Sequence, residues 1–342
     1  MKKLSWLNRI IYFVNSIIAF LLLCSYLLPY ISPQTFPLLS LLSLLVPVLI
    51  LANLAFVLYW LIKLRKQFLI SLIVLLIGFT TVTSFFRISE KQVLLNDDLK
   101  IMSYNVRLFN LYNWKPESTD SIRKSIVEFV HEKSPDIVCF QEFVNDYSGY
   151  FKYKYRFVNN KNGDNKRIRF GQAIYSKYKI INSGSINFKS NTNNAIYADI
   201  VKEKDTFRVY NVHLESLKIQ LDQENLGEED SEKLRKRLQT KFGKQVDQVS
   251  LLLENEKNCP FKTIICGDFN NTAFSWVYNQ LKGDKNDAFV EAGDGFGKSY
   301  DYFLPARIDF ILPNEAFTVN NFKNYFIDYS DHYPIMTRLQ LK

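Results

Sequence analysis

The first 89 residues contain no aspartate and no glutamate. Seven of the 43 basic residues lie there (Lys2, Lys3, Arg9, Lys63, Arg65, Lys66 and Arg87), and what separates them is apolar. The net charge of +9 therefore belongs mainly to the front of the chain: after Arg87, 36 basic residues face 34 acidic ones. A high pI of this origin is a membrane signature, not a nucleic-acid signature. Cysteine is scarce as well, at four residues. None forms a C-x-x-C pair, so the common zinc spacings are missing, and no disulfide framework is implied. Cys139 and Cys266 sit in apolar strand-like runs, as small buried hydrophobes do, Cys24 lies in an apolar helix, and Cys259 is beside Pro260. No glycine-rich phosphate loop is present, since no helical pattern follows Gly293, Gly295 and Gly297. Internal repeats and low-complexity runs are also absent.

Three uncharged apolar segments fill the front end: about 10–28, 38–62 and 68–86, each near the ~20 residues that cross a bilayer as helix. Core helices of a soluble bundle would carry polar faces, and these carry almost none. Pro47 inside the second segment is tolerable in a membrane helix. A cleaved signal peptide is disfavoured because no small-x-small site follows the first segment, and Leu21-Leu22-Leu23 before Cys24 lacks a lipoprotein site. Residues 1–87 are thus expected to be a three-helix anchor, followed by a linker at 88–98 and a soluble domain at 99–342. Bases flank the first helix at Lys2, Lys3 and Arg9 and separate the second and third at Lys63, Arg65 and Lys66, whereas Tyr30 to Pro37 is uncharged. The positive-inside rule then puts the N-terminus in the cytoplasm and everything after Arg87 outside. The expected location is a bacterial inner (cytoplasmic) membrane, multi-pass, with the lipid bilayer as partner and no protein partner.

Beyond Arg87 the pattern changes to short strands and a few helices. Leu99 to Val106 reads as a strand, Ile122, Ile126, Phe129 and Val130 recur at helical spacing, and Asp136 to Phe140 reads as a strand buried on both faces. Phe170 to Tyr175, Ala195 to Val201 and Phe207 to Leu214 are further strands. Leu234, Leu238, Phe242, Val246, Val249 and Leu253 mark an amphipathic helix from Ser231 to Asn255. Thr263 to Cys266, Ile308 to Leu312 and Ile335 to Leu341 supply the last strands. The fold class is α/β, layered, without a strict βαβ repeat.

Chemistry-bearing residues follow or end these runs. Asp268-Phe269-Asn270 comes after Thr263 to Gly267, and Glu142 comes after Ile137 to Gln141. Either alone could be an ordinary turn at a strand end. The three histidines discriminate better. His131, in His131-Glu132-Lys133 at a helix end, reads as solvated surface, while His213 alternates with Asn211 in a strand and His332 follows Asp331 before the last strand. Asp309 inside Ile308-Asp309-Phe310-Ile311 needs a partner, because a carboxylate in an apolar strand is unfavourable unless paired. An imidazole is the natural one.

The ordered set Ser103-Tyr104-Asn105-Val106-Arg107, Gln141-Glu142, Asn211-Val212-His213, Gly267-Asp268-Phe269-Asn270, Arg307-Ile308-Asp309-Phe310 and Ser330-Asp331-His332-Tyr333-Pro334 resembles the endonuclease/exonuclease/phosphatase superfamily. That group includes DNase I, abasic-site endonucleases, bacterial sphingomyelinases and inositol-polyphosphate 5-phosphatases. The resemblance covers about residues 99–342 and implies a four-layer α/β sandwich, here preceded by three transmembrane helices. It also implies Mg²⁺, with Mn²⁺ able to substitute, and hydrolysis of a phosphate ester by in-line attack of water. By the same resemblance Glu142 is the principal metal ligand, with Asn105 beside it and Asp331 as a further ligand. Asp268 would orient or deprotonate the water, Asn270 and His213 would hold phosphate oxygens, and His332, oriented by Asp309, would stabilise the phosphoryl group or move a proton. Arg107 stands where abasic-site endonucleases carry an acidic residue, which draws the site closer to the DNase I and sphingomyelinase branches; a cation there suits a substrate phosphate.

These features imply a membrane-anchored metal-dependent phosphodiesterase, nuclease-like, with a nucleic acid as substrate. The alternatives are a lipid head-group phosphodiesterase or a phosphomonoesterase, and more remotely a module that has lost catalysis, although every ionisable position of the motif set is present. A basic loop at Lys161, Lys166, Arg167 and Arg169 suits a nucleic-acid backbone, and the bases Lys233, Arg235, Lys236, Arg237, Lys241 and Lys244 suit anionic lipid; both also suit plain solvated surface.

Overall fold

Hydrophobic side chains on the outside and polar ones within mark the first part of the chain. The computed structural model describes residues 4–88, 91–162, 169–190, 193–217, 228–301 and 305–342, so Lys2, Lys3, Lys166 and Arg167 lie outside the described residues. Helices α1 (Trp6–Ser25) and α2 (Pro37–Ile62) are joined through a 3₁₀ turn at Leu28–Tyr30. Phe13, Phe20 and Leu58 point outward, whereas the few polar side chains turn into the bundle. Trp60 Nε1 donates to Asn15 Oδ1 at 2.9 Å, Asn15 Nδ2 donates to Ser71, and Asn53 Nδ2 donates to the Leu49 carbonyl at 2.8 Å. Such inverted polarity suits an apolar solvent.

The third apolar segment is not one helix. It divides into α3 (Phe68–Ile77) and α4 (Phe79–Phe85), bent by 81° at Gly78. A side chain at Gly78 would meet the Tyr26 ring at 2.0 Å, and the Tyr26 hydroxyl donates to the Val74 carbonyl at 3.0 Å, so the ring occupies the bend. Among the described residues two helices are long and apolar enough to cross a membrane, or three if the bent pair is one span.

After the extended stretch 91–98, the rest of the chain alternates strands and helices: β1 (Leu99–Asn105), α5 (Thr119–Lys133), β2 (Ile137–Val144), β3 (Tyr155–Asn162), β4 (Arg169–Ser176), β5 (Lys179–Ser185), β6 (Asn194–Lys202), β7 (Asp205–His213), α6 (Glu228–Lys257), β8 (Lys262–Asp268), α7 (Trp276–Lys282), α8 (Ala288–Ala292), β9 (Asp309–Pro313), β10 (Phe317–Asn324) and β11 (Ile335–Leu341). Two sheets result, ordered β10-β11-β1-β2-β4-β3 and β5-β6-β7-β8-β9. Each holds one parallel pair, β1 with β2 and β7 with β8, and the crossovers of those pairs are α5 and α6.

Strand alternation sorts the side chains into three cores. Ile101, Cys139, Ile174, Ile196, Val209, Ile264 and Cys266 meet between the sheets. Met102, Tyr104, Val138 and Phe140 face outward onto Ile122, Ile126 and Val130 of α5. Tyr210, Val212, Ile265 and Leu312 face outward onto Val249 and Leu252 of α6 and Val277 and Leu281 of α7. Helix, sheet, sheet and helix make the four expected layers.

The apolar helices are packed against this sandwich. Leu41 and Leu44 of α2 cover Leu217, Leu238 and Phe242, and Phe274 joins the core of the helices with Ala19, Leu22 and Val46. Thr272 Oγ1 donates to the Ser43 carbonyl at 3.1 Å, Asn279 Nδ2 to the Pro29 carbonyl at 3.1 Å, and Arg307 Nη2 to the Ser84 carbonyl at 3.2 Å. The expected linker is also tied down. Lys91 Nζ donates to the Val319 carbonyl at 2.7 Å, and Val93 N donates to Asn320 O at 3.2 Å.

Candidate active site

Parallel pairing brings the C-terminal ends of β1, β2, β7 and β8 to one rim, because parallel neighbours end at the same edge. Asn105 lies opposite Gln141, His213 opposite Asp268, and Asp268 opposite Asp309 on antiparallel β9. Asp268 is therefore the middle of a three-strand row. Its Oδ2 accepts from Asn105 Nδ2 at 3.0 Å and lies 3.7 Å from both His213 Nε2 and His332 Nε2. His332 Nδ1 is 2.9 Å from Asp309 Oδ2, which is the imidazole partner the sequence demands for that carboxylate.

Glu142 reaches the same point by a local irregularity. The register between β2 and β4 slips between Phe140 and Phe143, and Glu142 adopts φ 49°. A bulge of this kind re-aims one side chain, here turning a carboxylate out of a buried strand. Its Oε1 sits 3.5 Å from Asn105 Nδ2 and 3.8 Å from His213 Nε2. Asp331 instead pairs with Arg107, Oδ2 to Nη1 at 3.0 Å.

Arg107 opens a run of four left-handed residues, with φ 41°, 53°, 55° and 61° from Arg107 to Asn110. Non-glycine residues resist this conformation by about 1–3 kcal/mol each. Buried Phe109 and the Asn110 side chain hold it. Asn110 Nδ2 donates to the carbonyls of Lys115 and Glu117 at 3.2 and 2.7 Å, while its Oδ1 accepts from Lys115 N at 2.9 Å. Trp114 covers the Arg107 guanidinium at 4.3 Å.

Every predicted site residue thus comes to one rim, although two amides are turned inward. Asn270 Nδ2 donates to the Leu214 carbonyl at 2.9 Å and to Asp268 Oδ2 at 3.3 Å. Asn105 Oδ1 accepts from Arg107 N at 3.1 Å, which leaves its N–H groups facing the carboxylates. His131 stays apart, exposed on α5.

Several supporting residues escaped the sequence reading. Ser330 Oγ donates to the Asn105 carbonyl at 2.8 Å and accepts from His332 N at 3.2 Å. Ser299 Oγ accepts from Ile308 N and Asp309 N at 3.0 and 2.9 Å, and the Tyr300 ring lies 5.0 Å from that of His332. Gln245 of α6 donates to the Glu215 carbonyl at 2.7 Å. Only Ser330 had a signal, its place in the quoted motif.

Charge in the site is out of balance. Burial pushes the Asp268 carboxyl up to about 6, with Asp309 adding to the rise against the two histidines. Burial and then Asp331 raise Glu142. Burial alone would lower His332, but Asp309, Asp268 and Asp331 outweigh it and hold the imidazolium to about 10. His213 moves down, because burial outweighs the pull of Asp268. The buried Asp309 Oδ1 finds no protein donor. Asp268, Asp309 and His332 present ligand atoms within 4.8 Å of one another, with Glu142 and Asp331 adjoining. The carboxylates of Asp268 and Glu142, both raised by burial, are oxygen donors that a hard divalent cation fits.

Removal of metal gives a testable sign. Carboxyls whose native pKa lies above the unfolded value favour folding while protonated, and that contribution is lost as pH rises through about 6 for Asp268. Without divalent cation the thermal midpoint is expected to fall across this interval. Saturating Mg²⁺ should raise it again, through a stabilisation of ~2.7 kcal/mol at a hundredfold excess over Kd, and more strongly at pH 7 than at pH 5. Scanning calorimetry with and without chelator reads the difference; a Mg²⁺ increment independent of pH would separate the metal from these carboxyls.

Two mixed sheets flanked by helices, with acidic, amide and imidazole side chains gathered at the strand ends, define a DNase I-like sandwich. The sequence profile of the Endonuclease/Exonuclease/phosphatase family matches residues 102–332, and the chain belongs to that family. Its members are metal-dependent phosphoester hydrolases, and so is this protein. Residues 8–85 match a family described as a domain of unknown function (DUF8431). Among curated proteins none matches. Solved structures share the fold at low identity. The human Nocturnin catalytic domain with bound sulfate aligns with a TM-score of 0.54 at 18% identity, over 73% of this chain and 96% of that one. A mannosyl-6-phosphatase of Bacteroides thetaiotaomicron gives 0.52 at 16%, over 71% and 100%. D. rerio TDP2 complexed with a single-strand DNA product gives 0.52 at 20%, over 72% and 100%.

Proposed function

We propose that the protein is a membrane-anchored phosphodiesterase, with residues 1–87 as anchor and 99–342 as catalytic domain. The observation that carries the chemistry is the hub at Asp268 Oδ2, where Asn105, His213 and His332 converge. Glu142 and Asp331, with Asn105 once its amide turns to present Oδ1, would hold Mg²⁺, or Mn²⁺ in its place, and the bound ion would supply Lewis-acid polarisation of a phosphoryl oxygen. Asp268, poised near neutral pH, orients and deprotonates the attacking water. His332 remains cationic beside Asp309, so it stabilises the charged phosphoryl group and can give a proton to the leaving oxygen. His213 is the neutral donor, Arg107 binds a remaining phosphate oxygen, and Asn270 would join it on turning its amide from the Leu214 carbonyl.

Anchorage rests on the apolar outward faces of α1 and α2. The sandwich packs at the Ser25–Ser43 end of these helices, remote from Trp6 and Ile62, which supports an extracytoplasmic catalytic domain in a bacterial inner membrane. Protease added outside cells with a permeabilised outer envelope should then cut after Arg87, and protection there would reverse the orientation.

A phosphodiester substrate of nuclease type draws on the local bases, since the near-neutral domain argues against strong non-specific DNA binding and local patches can outweigh net charge; D. rerio TDP2 is complexed with a single-strand DNA product, and the Bacteroides thetaiotaomicron protein is a mannosyl-6-phosphatase. A lipid head group is the second reading. It is favoured by the Thr272 and Phe274 contacts, which tie the loop after Asp268 directly to α2. Assay of the full-length protein on DNA, RNA, a phosphomonoester and phospholipid, each with Mg²⁺ and with chelator, separates these. Activity on phosphomonoesters alone would overturn the diesterase assignment.

A further inference from the structure

Beside the catalytic rim, and separate from it, lies a cavity of about 570 Å³ lined by Phe296, Lys298, Pro305, Lys323 and Phe326 together with backbone at Gly295 and Gly297. One wall continues into the apolar helices. The Phe296 ring is 5.1 Å from Phe85 and 4.8 Å from Phe86, and Arg87 and Gly295 exchange two backbone hydrogen bonds of 2.9 Å. The other wall continues into the catalytic centre. Phe326 packs edge-on against Tyr333 at 5.2 Å, Lys298 Nζ lies 5.5 Å from the same ring, and Tyr333 N donates to the Ser299 carbonyl at 2.8 Å. Tyr333 follows His332 directly, and Ser299 Oγ holds the backbone of Asp309.

Phe326 on this lining is 68% exposed, and Phe296, against Phe85 and Phe86, is 38% exposed. Exposed aromatic side chains such as Phe296 and Phe326 are unfavourable in water and find cover at the edge of a bilayer; Lys298 and Lys323 beside them share the lining with Asp294, and Lys298 pairs with Asp301 at 3.3 Å. Beyond the 81° bend at Gly78, α4 sets Phe85 against Phe296 on this wall.

We propose that this cavity is a lipid-binding groove through which a bilayer phospholipid reaches the catalytic rim. The inference rests on the membrane-anchored phosphodiesterase reading and adds the substrate's source. The apolar part of the lipid lies between Phe296 and Phe326, and its phosphate passes Lys298 and Tyr333 toward His332. Continuity with the apolar helices on one side and with the histidine on the other is what selects a bilayer lipid over a polymer arriving from solvent.

The test uses the full-length protein in vesicles of phosphatidylglycerol and phosphatidylethanolamine, supplied with Mg²⁺. Two activities are followed: release of water-soluble head-group phosphate from the vesicles, and hydrolysis of a soluble aryl phosphodiester. Phe326→Asp, at an exposed position, should leave aryl turnover unchanged and lower lipid turnover about tenfold or more, the loss matching removal of one aromatic contact from the lipid. Phe296→Ala should act in the same direction. A photoactivatable benzoylphenylalanine at position 326 should yield a lipid adduct by mass spectrometry that the same group at Tyr150 does not. Equal lipid turnover in Phe326→Asp and wild type, or no lipid cleavage by a wild type that does cleave the aryl diester, would overturn the groove. Failure of the wild type on every diester would instead sink the underlying reading.

Discussion

Replacement of His332 by alanine is expected to lower turnover of an aryl phosphodiester by about three orders of magnitude, within the span a positioned acid or base contributes. The imidazole stands between two buried carboxylates, 2.9 Å from Asp309 and 3.7 Å from Asp268, and those carboxylates keep it protonated to about 10. Its removal therefore deletes more than a proton donor. It also leaves Asp268 and Asp309 opposite each other on neighbouring strands without the cation that separates their charges. Asp268 would then hold its proton to a higher pH, and the acid limb of the residual activity should move upward. Asp309→Asn provides the complementary case. It keeps the ring in place but withdraws a charge that raises the His332 pKa, so the alkaline limb should move down while the loss of turnover is smaller. Steady-state rates from pH 5 to pH 10 (about the range of the two pKa values) on both variants read these shifts. Full activity in His332→Ala would remove the histidine from the mechanism.

The strand ends carrying this site were legible because each apolar run stops where its polar residue begins. Thr263 to Gly267 and Ile137 to Gln141 are buried strands, and the residues that break them are the ones that face the rim. Helix α5 was equally open to reading, since Ile122, Ile126, Phe129 and Val130 lie on one face and all four are buried. Strand β10 was not. Its Phe317-Thr318-Val319 alternation is interrupted by a register shift between Val319 and Asn321, so a period of two runs out after three residues. The bend at Gly78 was hidden for another reason. A glycine in an apolar run says nothing about which ring will occupy its missing side chain, and Tyr26 is 52 residues earlier in the sequence.

Within the site the difference lies between residues that bear charge and residues that hold them. Glu142, Asp268, Asp309 and His332 are conspicuous as ionisable groups in apolar surroundings. Ser299, Ser330 and Gln245 act mainly on backbone groups that the fold brings near, and apart from the place of Ser330 in its motif nothing local in the sequence distinguishes them from solvent-facing residues. Gln141 and Asn211 fall between these cases. Both belong to the quoted motifs, yet they lie beneath the rim: Gln141 Nε2 donates to Asn211 Oδ1 at 2.7 Å, and Asn211 Nδ2 donates to the carbonyls of Phe140 and Ala173 at 2.8 and 3.0 Å. They bind one sheet to the other where apolar packing gives way to the polar site. A buried polar network of this kind, in which Gln141 Oε1 stays without a partner among the described residues, fixes relative position more than it adds stability.

Gly267→Ala should be the most damaging single-atom-scale change in the sandwich. Gly267 adopts φ +138°, a region open essentially to glycine alone, and a Cβ there would stand 1.9 Å from the Val212 carbonyl oxygen and 2.7 Å from Val212 N. The obstacle is backbone of the adjoining parallel strand, so no side-chain rotation relieves it. Strands β7 and β8 would have to separate at the pair that immediately precedes His213 and Asp268. Strain at such a backbone together with loss of strand pairing is expected to reduce stability by about 4 kcal/mol or more, a large part of the 5–15 kcal/mol typical of a whole domain. Activity should vanish with it, because the row that places Asp268 between His213 and Asp309 depends on this register. Gly243→Ala supplies the contrast. Gly243 lies within α6 with no atom near its absent side chain, so alanine there should stabilise by about 0.5–1 kcal/mol through helix propensity. Thermal unfolding of both variants in the same detergent separates a backbone collision from a general intolerance of glycine substitution. If Gly267→Ala melted with the wild type and kept its turnover, the close approach of β7 and β8 beneath the catalytic rim would not hold.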